Sequence, residues 1–270
     1  MLAEDIGIWS LAGYYALLVI PLGMMLWLRI PIIGKTLLAV ARMTVQLLFV
    51  GFYLQIVFRL NNPLVTVLWL AVMLGVADLS IIRGCTLKLR KFMLPLFVAL
   101  LGGTAIPLLL FVGPLLNRPG FMDAQYVIPI GGMILGNCLR ADIIGIRHFY
   151  EAMKNRENVF LLTLSQGARL HEATRPFLRD ACQAALLPTV ATMATIGLVA
   201  LPGMMTGVIL GGADPMTAIK YQIAIMIAIF TGTAITVILA ISLSVRNSFT
   251  AYGVLDPRAF RKEGTLRDNR

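Results

Sequence analysis

The sequence predicts an all-α polytopic membrane protein with about seven transmembrane helices. Three observations predict it. Hydrophobic residues fill 59% of the 270 positions and charged residues only 13%, against about 25% charged in soluble domains. Mean hydropathy is +0.85. Apolar runs recur along the chain at the length of about 20 residues that a helix needs to cross a hydrocarbon core.

The first run, 8–28, follows Glu4 and Asp5. A secretory leader calls for a basic start and a shorter apolar stretch, so this run is expected to be a span. Further spans are expected at 36–58, 64–82, 92–116, 126–147, 184–206 and 218–245. No polar stretch is long enough for a second domain, so residues 1–270 are expected to form a single permease domain.

The net charge of +10 raises the question of nucleic acid, and the placement of the charge excludes it. Eighteen of the 23 Lys and Arg residues fall in segments 29–35, 83–91 and 147–180 and in the basic tail 246–270. The opposite side holds Arg59 and Arg118. That asymmetry follows the positive-inside rule, with the N-terminus outside and the C-terminus cytoplasmic. Membrane lipid is the expected surrounding. Cys85, Cys138 and Cys182 are far apart and the chain has two histidines. Neither a disulfide framework nor a zinc site is indicated.

The longest cytoplasmic segment is expected at 148–183. Apolar residues from Val159 to Leu164 and again from Leu170 onward have near-helical spacing, and Gly167 stands between them. This pattern reads as two amphipathic helices around a Gly turn. It suits an interfacial element on acidic lipid or a docking element for a cytoplasmic partner.

Charged and amide groups inside spans are costly and face a bundle interior or an aqueous path. Arg42 and Gln46 stand four residues apart in the second span, on one helix face. Asp78 lies in the third span. Asn137, Arg140 and Asp142 lie in the fifth. These residues are expected to form a polar cluster for structure and gating, with Asp78 pairing with Arg42 or Arg140. Gly132 and Gly136 have GxxxG spacing, and Ala141 and Gly145 a similar small-residue spacing; both suit helix contacts in lipid.

Two motifs are informative by what they lack. RIPIIGKT at 29–36 ends like a phosphate-binding loop, but Arg29 occupies the position of the required first Gly. No catalytic grouping of Ser, His and acid occurs at a motif spacing. The chain is therefore expected not to be an enzyme, and to hold no cofactor of its own. LPGMMTGVILGGADP at 201–215 joins the last two spans. Its first half, with Pro202 and Gly203, is expected to be the broken outer end of the sixth span; freed carbonyls there are tolerated where they line a cavity. Its GGADP half is expected to be a tight turn. Met204 and Met205 carry soft thioethers. With Asp78 and Asp214, they are the weak candidate metal ligands.

Four stretches carry a resemblance: ARMTVQLLFVGFYLQ (41–55), IPIGGMILGNCLRAD (128–142), LSQGARLHEATRPFLRDACQAALLPTV (164–190) and LPGMMTGVILGGADPMTAIKYQI (201–223). Together they resemble the FetB-type permeases, bacterial ABC-transporter membrane subunits associated with iron export, and the related plant half-transporters of the aluminium-tolerance type. The resemblance implies a multi-pass subunit of the bacterial inner membrane exporting iron or another metal. It implies a permease homodimer and a separate cytoplasmic ABC ATPase that binds ATP. Segment 157–188 also loosely resembles the ATPase-docking loop of ABC permeases. Gly167 and Ala168 match its GA step, which places docking around Gly167, Ala168, Arg169 and Glu172. Glu157 departs from the pattern, standing ten residues before Gly167 rather than about six. The alternative is an ion- or proton-coupled secondary transporter of small solutes, with Asp78 and Arg140 as coupling groups. Ten or more spans with inverted repeats would favour it.

Overall fold

The computed structural model describes residues 7–115 and 123–249. Most of the basic tail, and Arg118, lie outside the described residues.

Helix starts and stops follow local chemistry. The first apolar helix runs over Trp9–Trp27, as α1 (Ile8–Tyr15), a 3₁₀ turn (Ala16–Leu18) and α2 (Val19–Trp27). Helix α3 (Ile33–Leu60) ends at Asn61, which adopts a left-handed conformation with φ of 38°, a common way to stop a helix. Asn62 then caps α4 (Pro63–Gly84), accepting the Leu64 N–H at 2.9 Å, and Pro63 fills the first helical turn. Helix α5 (Leu89–Leu110) closes in a π turn, Phe111–Leu115. Asp123 caps α6 (Ala124–Asn155) by accepting the Gln125 N–H. The Asn61 side chain accepts the Ala124 N–H at 3.3 Å, so one residue ends α3 and holds the start of α6.

Six helices of the described chain are long and apolar enough to cross a membrane: Trp9–Trp27, α3, α4, Leu89–Gly113, α6 and Pro215–Ser248 (α10). The expected sixth span, 184–206, is not one helix. Helix α8 (Leu170–Thr195) stops short, irregular backbone follows over 196–202, and α9 (Gly203–Leu210) resumes. Contacts nevertheless show that 170–214 traverses the bundle. Phe177 near its start stacks edge-on with Phe160, which also meets Phe249 at the end of α10. Asp214 at its finish caps the start of α10, a helix of 34 residues and hence about 50 Å long.

The helices alternate in direction between two ends. At the basic end, the Arg147 guanidinium donates to the Gly84 carbonyl, and the Asn247 amide donates to the Lys91 carbonyl at 3.0 Å. Tyr150 hydrogen-bonds Ser244 and Ser248 there. At the opposite end, Asn61 meets Ala124, and Phe111 packs near Tyr221.

The core belongs to α4, α5, α6, α8 and α10, where Phe92, Leu96, Leu100, Ile134, Ile146 and Ile241 are fully buried. The closest helix approach joins α5 to α10. A Cβ on Gly103 would lie 2.7 Å from the Thr236 Cβ and 2.8 Å from the Gly232 carbonyl, and a Cβ on Gly232 would collide with the Gly103 carbonyl. Without a hydrophobic drive between helices in lipid, such close backbone approach is what stabilises their packing. The expected Gly132–Gly136 pair does not form a seam among the described residues: a Cβ on Gly132 would meet the Met73 methyl, and a Cβ on Gly136 would meet nothing within 4 Å. Gly145 does serve a contact, against Ala185 and Val237.

Helices α1–α3 are peripheral. Val57 is their one buried described residue, while Tyr53 stacks on Trp69 of α4 with centroids 4.1 Å apart.

Gly232→Val should cost about 2 kcal/mol or more through overpacking and lower the thermal midpoint of the detergent-solubilised protein. Gly136→Ala should leave that midpoint within about 0.5 kcal/mol. Equal effects of the two substitutions would remove the α5–α10 approach from its central place.

Candidate functional site

Three helices and a break line an open cavity of about 410 Å³. Its walls are helical stripes. On α6 the stripe is Met133, Asn137, Arg140, Ala141 and Ile144; on α8 it includes Pro188, Thr189 and Thr192; on α10 it is Gln222, Ile225, Met226 and Ile229. Spacings of three and four residues put each set on one helix face. Ile196, Ala200, Pro202, Gly203 and Met204 supply the remaining wall.

The break follows from its sequence. Pro188 inside α8 removes an N–H from the helix ladder. At Gly197, φ is +86°, a conformation glycine adopts without a Cβ penalty. Its N–H donates to the Ala200 carbonyl at 2.9 Å, and the chain turns back through Val199 to Pro202. Pro202 is the N-cap of α9 and gives it no side-chain cap. Irregular backbone at membrane depth is tolerated where it lines a cavity, and here it does. The break lies earlier than expected: Ile196–Pro202 is irregular, whereas 203–206 is the first turn of α9. The GGADP half behaves as expected. Gly212 has φ of +90°, and Asp214 caps α10 by accepting the Thr217 N–H at 2.9 Å and its hydroxyl at 3.1 Å.

The polar cluster expected in the spans divides. Asn137, Arg140, Pro202, Gly203 and Met204 come together at the cavity. Asn137 donates its amide N–H to the Met133 carbonyl at 2.8 Å. Arg140 makes no ion pair or hydrogen bond with another described residue. Asp142 does not join them. Cys138 and Asp142 occupy another face of α6, turned into the core, where the Thr236 hydroxyl donates to Asp142 at 2.9 Å. The second Asp142 oxygen has no partner. Met205 and Asp214 are not part of the cavity wall.

The expected pairing of Asp78 with Arg42 or Arg140 does not occur. Asp78 is fully buried on α4, and neither of its oxygens has a partner. Arg42 and Gln46 share a face as expected, but that face of peripheral α3 is exposed. A pattern of polar residues in spans reports that each residue needs company; it does not say which helix supplies it.

The docking segment takes the expected form with different limits. Helix α6 runs to Asn155, two turns past its predicted end at 147, and α8 begins at Leu170. Only 156–169 links them, through α7 (Glu157–Ser165) and a turn in which Gly167 has φ of +91°. Glu172 accepts the Arg169 N–H at 2.8 Å and fixes the start of α8. Arg156 bonds Asp180 at 2.9 Å and lies over the Phe177 ring. Phe160 is buried between Phe177 and Phe249, while Val159 and Leu162 of α7 are exposed. Gly167, Arg169 and Glu172 are also exposed, and Ala168 is half-buried.

Gln222 was not among the residues expected at the site. It is an amide in the last span, and the rule that selected Asn137 and Gln46 would have found it.

Comparison with known proteins gives this architecture its family. The family described as "Uncharacterised protein family (UPF0014)" matches residues 8–249. The chain belongs to the UPF0014 family. A UPF0014 membrane protein of Synechocystis sp. is 32% identical over 92% of this chain and 94% of its own length. "Probable iron export permease protein FetB" of Escherichia coli is 32% identical over 79% of this chain and 81% of its own. "UPF0014 membrane protein STAR2" of Oryza sativa is 30% identical over 86% of this chain and 80% of its own. No solved structure matches. With its six long apolar helices, this UPF0014 member is a multi-pass membrane protein.

The orphaned Asp78 carboxyl costs stability, because a buried polar group without a hydrogen bond is penalised by about 1–3 kcal/mol. Asp78→Val, close in volume, should therefore raise the thermal midpoint while lowering transport in proteoliposomes. A rise in stability with transport intact would make Asp78 a packing residue only.

Proposed function

We propose that this UPF0014 protein is the membrane-spanning permease of an ATP-driven ABC exporter, moving iron or another metal out of a bacterial cell across its inner membrane. A separate cytoplasmic ATPase binds and hydrolyses the ATP, and two permease copies work as a homodimer. In this reading the basic end is cytoplasmic, in line with the positive-inside rule.

One observation carries the proposal. Helices α6 and α8 both wall the polar cavity and both run on to the basic end, where they flank α7. A partner that grips α7 therefore holds the two helices that shape the cavity. The exposed apolar residues Val159 and Leu162, beside Arg169 and Glu172, offer such a partner a mixed surface. The name of the Escherichia coli relative supports export of iron as the activity. Alternating access then amounts to a rigid-body change in α6 and α8 around the cavity, the usual repertoire of domain motion.

Asp78 is the observation favouring the second reading, a proton-coupled transporter, since an unpaired intramembrane acid suits a proton relay. Transport by the permease alone in proteoliposomes, driven by a pH gradient and indifferent to ATP, would establish that reading and end the first.

Gly167→Pro provides a sharper test of docking. Proline fixes φ near −65° and cannot take the +91° of Gly167. The variant should insert in the membrane normally. Copurification of the ATPase should fall by about tenfold or more, the equivalent of one lost strong contact. Unchanged copurification would move the docking site elsewhere.

A further inference from the structure

We infer that the cavity between α6, α8, α9 and α10 is an oxyanion site: it takes carboxylate or phosphate oxygens, so that a metal cargo crosses as an anionic chelate and not as a bare cation. The inference rests on the permease reading of this same cavity.

Four observations point the same way. Among the described residues, Arg140 is the only charged one on the cavity wall, and no acid, histidine or cysteine lines it. Its guanidinium has no partner among the described residues, leaving a planar fork of donors that matches the two oxygens of a carboxylate or phosphate. Gln222 lines the same wall with 9% exposure. It too has no hydrogen-bond partner among the described residues. Its amide N–H groups, on the cavity side, are free to donate to a ligand oxygen. Gly203, at the N-terminus of α9, faces the cavity, and Pro202 leaves that terminus without a side-chain cap. The first N–H groups of a helix lack intrahelical partners and favour anions.

Met133, Met204 and Met226 also line the wall. Thioethers are ligands for soft monovalent metals, but the unpaired positive charge of Arg140 on the same wall disfavours a bare cation beside them. Their unbranched side chains suit an apolar, adaptable lining, and the oxygen-binding groups give the site its charge preference.

The test uses the full chain in phosphatidylcholine nanodiscs, with radioactive iron presented as ferric citrate or as reduced, uncomplexed Fe(II). Ferric citrate should bind saturably and be displaced by citrate or inorganic phosphate; bare Fe(II) should not bind. Arg140→Gln should weaken ferric citrate binding by about tenfold or more, and Gln222→Leu by several-fold. Arg140→Lys should retain part of the affinity, which guards against a folding artefact, and Lys35→Gln, far from the cavity, should bind like the parent. Nanodiscs containing phosphatidylglycerol separate two sources of the oxyanion. Citrate binding unaffected by that lipid assigns the site to a soluble anion, and competition by it assigns the same chemistry to a lipid phosphate. Saturable binding of bare Fe(II) or of Ag(I), insensitive to Arg140→Gln, would overturn the inference. So would ferric citrate binding equally to all variants. Either result can coexist with ATPase copurification and ATP-dependent efflux, so the oxyanion site can fail while the permease reading stands.

Discussion

The backbone contact between Gly103 and Gly232 is the constraint on which the rest of the bundle depends. It brings α5 and α10 closer than any side chain would allow. Through it, Thr236 is set one turn along α10 where its hydroxyl reaches Asp142 of α6. Further toward the basic end, the Tyr150 hydroxyl joins α6 to Ser244 and Ser248 of the same helix. Helix α6 is thus held to α10 twice, on the face carrying Asp142 and Tyr150. Its other face, with Asn137 and Arg140, is left free of the core and becomes the cavity wall. Neighbouring residues on a helix point about 100° apart; that rotation separates the cavity group Asn137 from the core group Cys138.

Much of this was legible in the sequence. Hydropathy found the crossings because the lipid demands about 20 apolar residues of each one. The Gly167 turn and the Asp214 turn were legible because glycine and proline act on the backbone locally; the interruption near Pro202 was legible too, but it lies at Ile196–Pro202, ahead of the expected 201–206. Facing directions were not. Asn137, Arg140 and Asp142 stand within six positions of each other and were read as one cluster, yet two look into the cavity and one into the core. The sequence likewise did not show that Asp78 goes unpaired, since pairing depends on which helices become neighbours. Nor did it show that α6 continues past residue 147, because His148–Asn155 is polar outside yet contributes Phe149, Tyr150 and Met153 to the interior. Hydropathy averages over those two faces.

The two halves of the chain differ in kind. Helices α1–α3 expose nearly all of their apolar surface, and they meet the core through one small apolar patch, in which Val57 packs with Ala124 and Ile128 and Tyr53 stacks on Trp69. The remaining helices form the packed machine: a rigid wall of α4, α5 and α10, and against it the pair α6 and α8, continuous from the cavity to α7. At the basic end the connector after α6 is tied to α8 by Arg156 to Asp180 and by Phe160 of α7 to Phe177.

The irregular segment 196–202 also bears on how the protein is built. A membrane helix is ordinarily stable alone in lipid before it packs, since its backbone is satisfied within itself. Residues 170–214 fail that condition: their crossing is split into α8 and α9 around a stretch whose backbone groups need neighbours. The six continuous helices can each enter the bilayer as they emerge during synthesis. The split crossing has to wait for α10, the last helix made, before its inner surface is covered. The cavity is therefore the last part of the bundle to assemble, and a chain truncated before α10 would carry the broken segment with nowhere to settle.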